Sequence, residues 1–469
     1  MTSKPSSNNG ECLKLRAFKD FLKACSTDSA ATQNGVFETR SCMTRSNNET
    51  YPVTPIELRA EVVATIWNHL STKRCPQEFQ LALMRSAVDE VECERKDSKI
   101  CDFKSANTDG ARGCEDANDK PEILYDLIKL QKFSLNILEK FLTRLTDNAE
   151  ANNLHRFAVE GVLCTGNNCS CATKLQQPTT NAYTYLTGAV KNKPRKMEDR
   201  HCCWPLYSDV FQLKSTTSQY SFYGVFDGHG GPLAAAYAAA QVPYLCAERL
   251  KKSDSSANER MAALKETFIV ADKLFAKKRI SSGTTAVCAL HYLSNNNVAT
   301  QQLCIAWVGD SKAMLVSRTK SQQLVRPHKP DCPEERLRIE SNNSGAVMFV
   351  QGHWRVNGIL NVSRSIGDFS VNSVIAEPDM VCVDLMEDDD FLVLGTDGLW
   401  DHASEQEIAS TVYEGLAKKD ANIEELPKQL IDLAKRGDSQ DNITVVIVFS
   451  NFKHILLSQR VFKLQNSFI

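Results

Sequence analysis

Neither sign of charge prevails in this sequence: 55 lysines and arginines stand against 57 aspartates and glutamates, a formal net charge of −2 over 469 residues. That balance removes any overall electrostatic reason to expect binding to nucleic acid or to a membrane surface. No apolar run approaches the roughly 18 residues of a membrane-spanning helix, and Met1–Gly10 is polar, without the apolar core of a signal peptide. Thr2 stands where N-myristoylation would need a glycine. These absences predict a soluble protein of the cytoplasm, with access to the nucleus left open. The 17 cysteines are odd in number and scattered, which suits reduced thiols better than a disulfide framework. Their one tight cluster, Cys164, Cys169 and Cys171, lacks the paired C-x-x-C spacing of a structural zinc site. A cysteine nucleophile for phosphate chemistry is missing too. His201-Cys202 is followed by Cys203 to Asp209, which hold neither a glycine-rich cradle nor an arginine.

What the sequence does have is one pattern, repeated. Phe222 to Phe226 is an apolar run short enough for a buried strand, and it ends in Asp227-Gly228-His229-Gly230-Gly231. In isolation Asp-Gly reads equally well as an ordinary turn. Cys304 to Val308, however, leads into Gly309-Asp310-Ser311, Phe391 to Leu394 leads into Gly395-Thr396-Asp397-Gly398, and Asp441-Asn442 stands immediately before Ile443 to Phe449. Four strand candidates thus carry an aspartate at one end, and strands of one sheet system can gather such carboxylates at a single rim.

The chain is long enough for two or three domains, and its 42% hydrophobic content allows a sizeable core. Residues 1–50 are rich in Ser, Asn and Thr and read as a mobile arm with one helix candidate at Leu13 to Ala24. Thr54-Pro55-Ile56-Glu57 has capping-box spacing before Leu58, Val62, Ile66 and Leu70. A second amphipathic helix is expected over Phe79 to Val91, then a polar loop from Lys96 to Lys120. Pro121 is read as opening a long helix through Leu124, Ile128, Leu135, Leu138, Leu142 and Leu145. Residues 51–150 therefore form a helical domain whose stripes fit either its own core or a groove for a protein partner.

From about residue 155 the texture changes to short β-branched and aromatic runs, with helices expected at Pro232 to Leu250 and Asn258 to Lys278. Ser404 and Glu407 have capping-box spacing ahead of Ile408, Val412 and Leu416, and Asp331 and Glu334 repeat that spacing for a short helix. Arg355 to Asp368 is a polar, glycine-containing stretch of a kind that covers a site. Residues 453–469 form a basic tail.

Lys196-Met197-Glu198-Asp199, Asp227-Gly228-His229-Gly230-Gly231, Ser282-Gly283-Thr284-Thr285-Ala286, Val308-Gly309-Asp310-Ser311, Arg364-Ser365-Ile366-Gly367-Asp368, Thr396-Asp397-Gly398-Leu399-Trp400-Asp401 and Asp441-Asn442-Ile443-Thr444 occur in that order. In this the chain resembles the metal-dependent serine/threonine protein phosphatases of type 2C, over residues 160–452. Within that family, Arg195 to His201 and the preceding helical domain look most like the calcium/calmodulin-dependent protein kinase phosphatases and the nematode feminization phosphatase of sex determination. The fold expected is α+β: an αββα-layered β-sandwich catalytic domain after a small all-α domain. Burial of Val225, Phe226, Ile305, Trp307, Leu392, Leu394, Val446 and Ile447 is expected to hold the strand ends.

Carboxylates gathered at one rim repel by roughly 4 kcal/mol per close pair at an effective dielectric near 20, so they either take up protons or recruit cations. Oxygen ligands without a Cys or His cluster favour Mg²⁺ or Mn²⁺ over zinc. The resemblance implies that Asp227 bridges two metals, the Gly228 carbonyl adds a ligand to one, and Asp397 and Asp441 complete the other centre. It further implies that Glu198 and Asp199 hold metal-bound waters and that Asp310 serves a weaker third metal. A metal-bridging water would attack a phosphoserine or phosphothreonine ester of a phosphoprotein, with His229 as general acid. In the family an arginine that grips the substrate phosphate lies four residues before the metal-site glutamate, and here that position is Pro194. Arg195 and Lys193 flank it as substitutes, although a lysine lacks the bidentate fork. Pro194 also keeps a second reading open, a catalytically weak phosphatase-like scaffold that binds partners through its helical domain.

Overall fold

The computed structural model describes residues 17–25, 50–95, 124–147, 185–213, 218–252, 256–294, 300–341, 345–418 and 422–450. Two compact units divide the chain, with the main boundary between Asn181 and Ala182. Cys164, Cys169, Cys171, the loop from Lys96 to Lys120 and the basic tail lie outside the described residues.

In the first unit, residues 17–25 form helix α1, and Phe18 stacks on Phe79 with ring centroids 4.5 Å apart. This part of the expected arm is therefore packed helix. Strand β1 (Pro52–Val53) is followed by α2 (Leu58–Thr72) and α3 (Gln77–Arg95), then β2 (Tyr125–Asp126) and α4 (Leu127–Asp147). Glu57 reaches back to the Thr54 N–H at 2.9 Å, as a capping box requires, but the Thr54 hydroxyl donates to the same carboxylate at 2.8 Å. The stripe Leu58, Val62, Ile66 and Leu70 is buried within this unit, so it is core. The last helix starts later than Pro121: Tyr125 and Asp126 pair with Val53 and Pro52, and Asp126 Oδ1 accepts from Lys129 N at 2.8 Å. Its buried face runs through Leu127, Leu130, Ile137, Leu138, Leu142 and Leu145, leaving Ile128 and Leu135 only half-buried.

The second unit begins with β3 (Tyr185–Val190), β4 (Arg200–Trp204), the single turn α5 (Tyr207–Val210), β5 (Ser218–Phe226) and β6 (Gly228–His229). Helices α6 (Leu233–Leu250) and α7 (Ala257–Ala276) follow, the latter opened by a Ser256–Glu259 capping box. Then come β7 (Gly283–Thr284), β8 (Ala286–Ser294), β9 (Thr300–Val308), β10 (Lys312–Ser317), β11 (Ser321–Gln323) and α8 (Pro333–Ser341). Glu334 near the start of α8 gives its carboxylate to Arg326, at 2.9 Å. The chain continues through β12 (Val347–Val350), β13 (His353–Val356), β14 (Ile366–Gly367), β15 (Asp379–Asp384) and β16 (Asp389–Gly395). It closes with the short α9 (Asp397–Trp400), α10 (Glu405–Ala417), α11 (Leu426–Arg436) and β17 (Ile443–Phe449). Ser404 and Glu407 cap α10 reciprocally, as their spacing predicts.

Two five-stranded sheets, ordered β11-β10-β16-β17-β3 and β15-β9-β8-β5-β4, carry this unit, and every pairing in them is antiparallel. Alternation along the strands decides which faces meet. Tyr223, Val225, Ile305 and Trp307 from one sheet interlock with Ala313, Leu315, Leu392, Leu394 and Val446 from the other. The intervening residues Met314, Val316, Val393, Val445 and Ile447 face outward and pack under Leu399, Ile408, Val412 and Leu430 of the last three helices. The result is the αββα layering expected, with all eight residues proposed to hold the strand ends buried. Among the described residues no helix is long and apolar enough to cross a membrane.

Topology places the acids. Because β8 runs antiparallel to both β5 and β9, those two strands are parallel and end on the same side, in Asp227 and Asp310. In the facing sheet β16 runs antiparallel to β17, so the end of β16 at Asp397 lies beside the start of β17 at Asp441.

Candidate metal centre

After β5 the backbone of Asp227 is clamped by Thr285 N and Thr284 Oγ1, which both donate to its carbonyl at 2.9 Å. Gly228 allows the chain to pass against Glu198, since a Cβ there would sit 2.6 Å from the Glu198 carbonyl oxygen. Asp310 is aimed by Gly309, whose φ of +89° suits glycine and whose N–H donates to Nδ1 of buried His328 at 3.1 Å. Asp397 opens the turn of α9. Asn442, beside Asp441, ties the loop before β4 to β17: its Oδ1 accepts from Glu198 N at 2.7 Å and its Nδ2 donates to Lys191 O at 2.8 Å.

Carboxylate oxygens of Asp227, Asp310 and Asp397 lie within 4.8 Å of one another. Burial, with the charges of Asp199, Asp397, Asp310 and Asp441, holds the Asp227 carboxyl well above the usual range. Burial and then Asp310, Asp401 and Asp441 push Asp397 up to about 8. Asp199 is raised to about 7, chiefly by burial, although hydrogen bonds from Thr444 and Thr396 oppose the rise. A pocket that resists its own negative charge in this way, and offers oxygen donors only, is matched to hard divalent cations such as Mg²⁺ and Mn²⁺.

Residues 184–443 match the family described as protein phosphatase 2C. The chain belongs to that family. Protein phosphatase 1F of Mus musculus is 37% identical over 266 residues, covering 56% of this chain and 56% of that protein. Protein phosphatase 1E of the same species is 35% identical over an equal length, covering 56% of this chain and 34% of its own. The match thus spans about half, or less, of the length of these relatives. In fold, the chain is similar to a solved structure of a C. elegans sex-determining protein, with a TM-score of 0.66, 20% identity, and coverage of 96% of this chain and 97% of that one.

Further groups meet here that the sequence spacing conceals. His229 Nε2 lies 2.6 Å from Asp368 Oδ2, and Ser365 Oγ donates to the same oxygen at 2.5 Å. Asp368 arrives because β14 pairs with β7, placing Gly367 opposite Gly283. Any side chain at 283 would collide with it, a Cβ falling 2.0 Å from Asp368 Oδ2. Lys329, from the loop after β11, forms an ion pair with Asp310. Burial disfavours its charge, but Asp310, Asp397 and Asp401 together raise its pKa. The glycine-containing stretch Arg355 to Asp368 thus supplies Asp368 from its last residue.

Of the expected site residues, Asp227, Asp310 and Asp397 converge. Asp441 is near enough to raise the pKa of Asp227, Asp397 and Asp199, and Glu198 is fixed through its backbone by Asn442. Lys193 and Arg195 stand exposed in the loop between β3 and β4 and form no ion pair among the described residues. Asp368, Lys329, His328 and Asn442 carry no role in the sequence reading. Asp368 and Asn442 lie inside motifs already singled out, and that adjacency is the one signal that could have found them.

Proposed function

We propose that this chain hydrolyses phosphoserine and phosphothreonine esters in phosphoproteins with the help of Mg²⁺ or Mn²⁺. The observation that carries the reading is the meeting of Asp227, Asp310 and Asp397 within 4.8 Å, beside an imidazole held by its own carboxylate. Asp227, Asp397 and Asp441, with the Gly228 carbonyl, are assigned as ligands of two ions, Glu198 and Asp199 as acceptors for their waters, and Asp310 as the ligand of a third. Bound there, divalent ions lower the pKa of water and offset charge on the phosphoryl oxygens.

His229 is assigned as the general acid. Asp368 accepts from Nε2–H, which leaves Nδ1–H to protonate the departing serine or threonine oxygen. The neutral imidazole formed keeps its proton on Nε2. No group of the chain is required as a nucleophile, and water attacks in line with the leaving oxygen. With Pro194 in place of an arginine, the exposed Arg195 and Lys193 are assigned the substrate phosphate, and a high KM is expected from contacts so little constrained. The first unit carries none of these residues, and its assignment as a docking region for a protein partner is part of the same proposal.

Hydrolysis of a phosphothreonine peptide by the purified chain, with Mn²⁺, with Mg²⁺ and with excess chelator, tests the reading. Phosphate release that needs the metal and falls by about 10²–10⁴-fold in His229→Ala is expected for loss of a general acid. Absence of turnover with either metal, from protein shown to be folded, overturns it in favour of the scaffold.

A further inference from the structure

Strand β15 lies at the edge of its sheet and pairs with β9, so that Cys382 stands directly opposite Cys304. Residues so placed in an antiparallel ladder have Cα atoms about 4.5–5.5 Å apart and share a face. That separation falls inside the range a disulfide spans. Both thiols are free in this structure, Cys304 fully buried and Cys382 half-buried. Their neighbours Leu303, Ile305, Val381 and Val383 fill the core between the sheets, so by alternation the two thiols lie on the opposite, helix-covered face.

A buried cation waits on that face. Arg260 of α7 is 2% exposed, lies 3.9 Å above the Tyr292 ring and donates to the Gln302 side chain, two residues before Cys304. Gln302 in turn donates to Asp384 at 2.7 Å, two residues after Cys382. The guanidinium is thus braced beside both sulfurs. Cys382 is shifted downward, first by its hydrogen bond with Cys304 and, against the cost of burial, by Arg260. Cys304 is shifted upward, by the same hydrogen bond and by burial. Burial first, with neighbouring thiols adding to it at Cys203 and Cys288, pushes the thiols of Cys202, Cys203, Cys246 and Cys288 up, and no other two cysteines stand opposite one another in a described sheet.

We propose that Cys382 and Cys304 form a dithiol site that hydroperoxides oxidise to a cross-strand disulfide. The accessible Cys382 thiolate attacks one oxygen of hydrogen peroxide. The O–O bond breaks, leaving a sulfenic acid on Cys382 and a hydroxide that takes up a proton as water. Cys304 then gives up its proton and attacks the Cys382 sulfur; the S–O bond breaks and the oxygen leaves as a second water. Two thiols lose two electrons in all, and one peroxide is reduced to two waters. The site stands apart from the carboxylate cluster and does not depend on what that cluster does.

The test is peroxide treatment of the full chain, alkylation of free thiols after unfolding, and mass spectrometry of a non-reducing digest. A linked peptide pair joining Cys304 to Cys382, increasing with peroxide and abolished by dithiothreitol, is expected. In Cys304→Ala the reaction stops one step earlier, and dimedone labels a sulfenic acid at Cys382. Recovery of both residues as alkylated thiols from peroxide-treated wild type overturns the proposal, as does a sulfinic acid at Cys382 with Cys304 still free. The wild-type digest decides the matter even if the variant fails to fold.

Discussion

At Asp368 the backbone takes a φ of +55°, a region that aspartate and asparagine enter more readily than most residues. One carboxylate oxygen there receives both His229 and Ser365, and the side chain is 8% exposed while His229 is 30% exposed. Asp368 thus anchors the ring from the buried side and leaves its other edge clear of this contact. Asparagine at this position keeps the shape and the backbone tolerance but removes the carboxylate that holds Nε2. Asp368→Asn is expected to lower kcat on a phosphothreonine peptide by about 10–100-fold, the usual cost of losing a partner that orients a functional histidine, while KM stays within about twofold. An unchanged kcat would exclude the positioning role.

At the scale of elements, helix α8 holds the segment that carries Asp368. Glu335, 4% exposed, accepts from Arg338 Nη2 at 2.8 Å, Ser363 Oγ at 2.6 Å and Arg364 Nη2 at 2.6 Å. Arg364 also donates to Asp379 at 2.8 Å, at the start of β15. Burial raises the Glu335 pKa, but hydrogen bonds from Arg364, Arg338 and Ser363 outweigh it and bring the carboxyl down to about 2. A carboxyl depressed in the folded state contributes stability above its unfolded pKa, near 4.5, and loses that contribution as pH falls through about 2. Glu335→Gln is therefore expected to lose on the order of 3 kcal/mol at pH 7, leaving two half-buried guanidinium groups short of a partner. The deficit relative to wild type should shrink as urea titrations are carried from pH 5 towards pH 2. A deficit that stays constant with pH would show that shape, not charge, is at stake.

For the whole molecule, two sheets from distant parts of the chain must pack before Asp227 and Asp310 of one meet Asp397 of the other. Folding therefore concentrates negative charge at one rim, and any cation bound there only in the folded state stabilises it by mass action, about 2.7 kcal/mol at one hundred times its Kd. Saturating Mn²⁺ is expected to raise the Tm of chelator-treated protein by several degrees. In Asp227→Asn, which removes a carboxylate common to the cluster, most of that rise and turnover with it should vanish. A variant whose Tm still climbs as wild type does would place the ions elsewhere.

The sequence by itself determined the aspartates, because each follows or precedes an apolar run whose strand character is local, and local periodicity survives in one dimension. It likewise determined the Ser404–Glu407 cap of α10, the αββα class and the membership of residues 184–443 in their family. Where an element is set by partners distant in the chain, that legibility ends. The last helix of the first unit begins at Leu127 because Tyr125 and Asp126 pair with β1, and α1 is ordered where Phe18 finds Phe79. Only the tertiary structure decided that Asp368 holds His229, that Lys329 meets Asp310 and that Asn442 fixes Glu198. These contacts join residues 139, 19 and 244 positions apart, and a hydrogen bond made by a side chain leaves no periodic trace along a chain. Packing of the sheets brings them together.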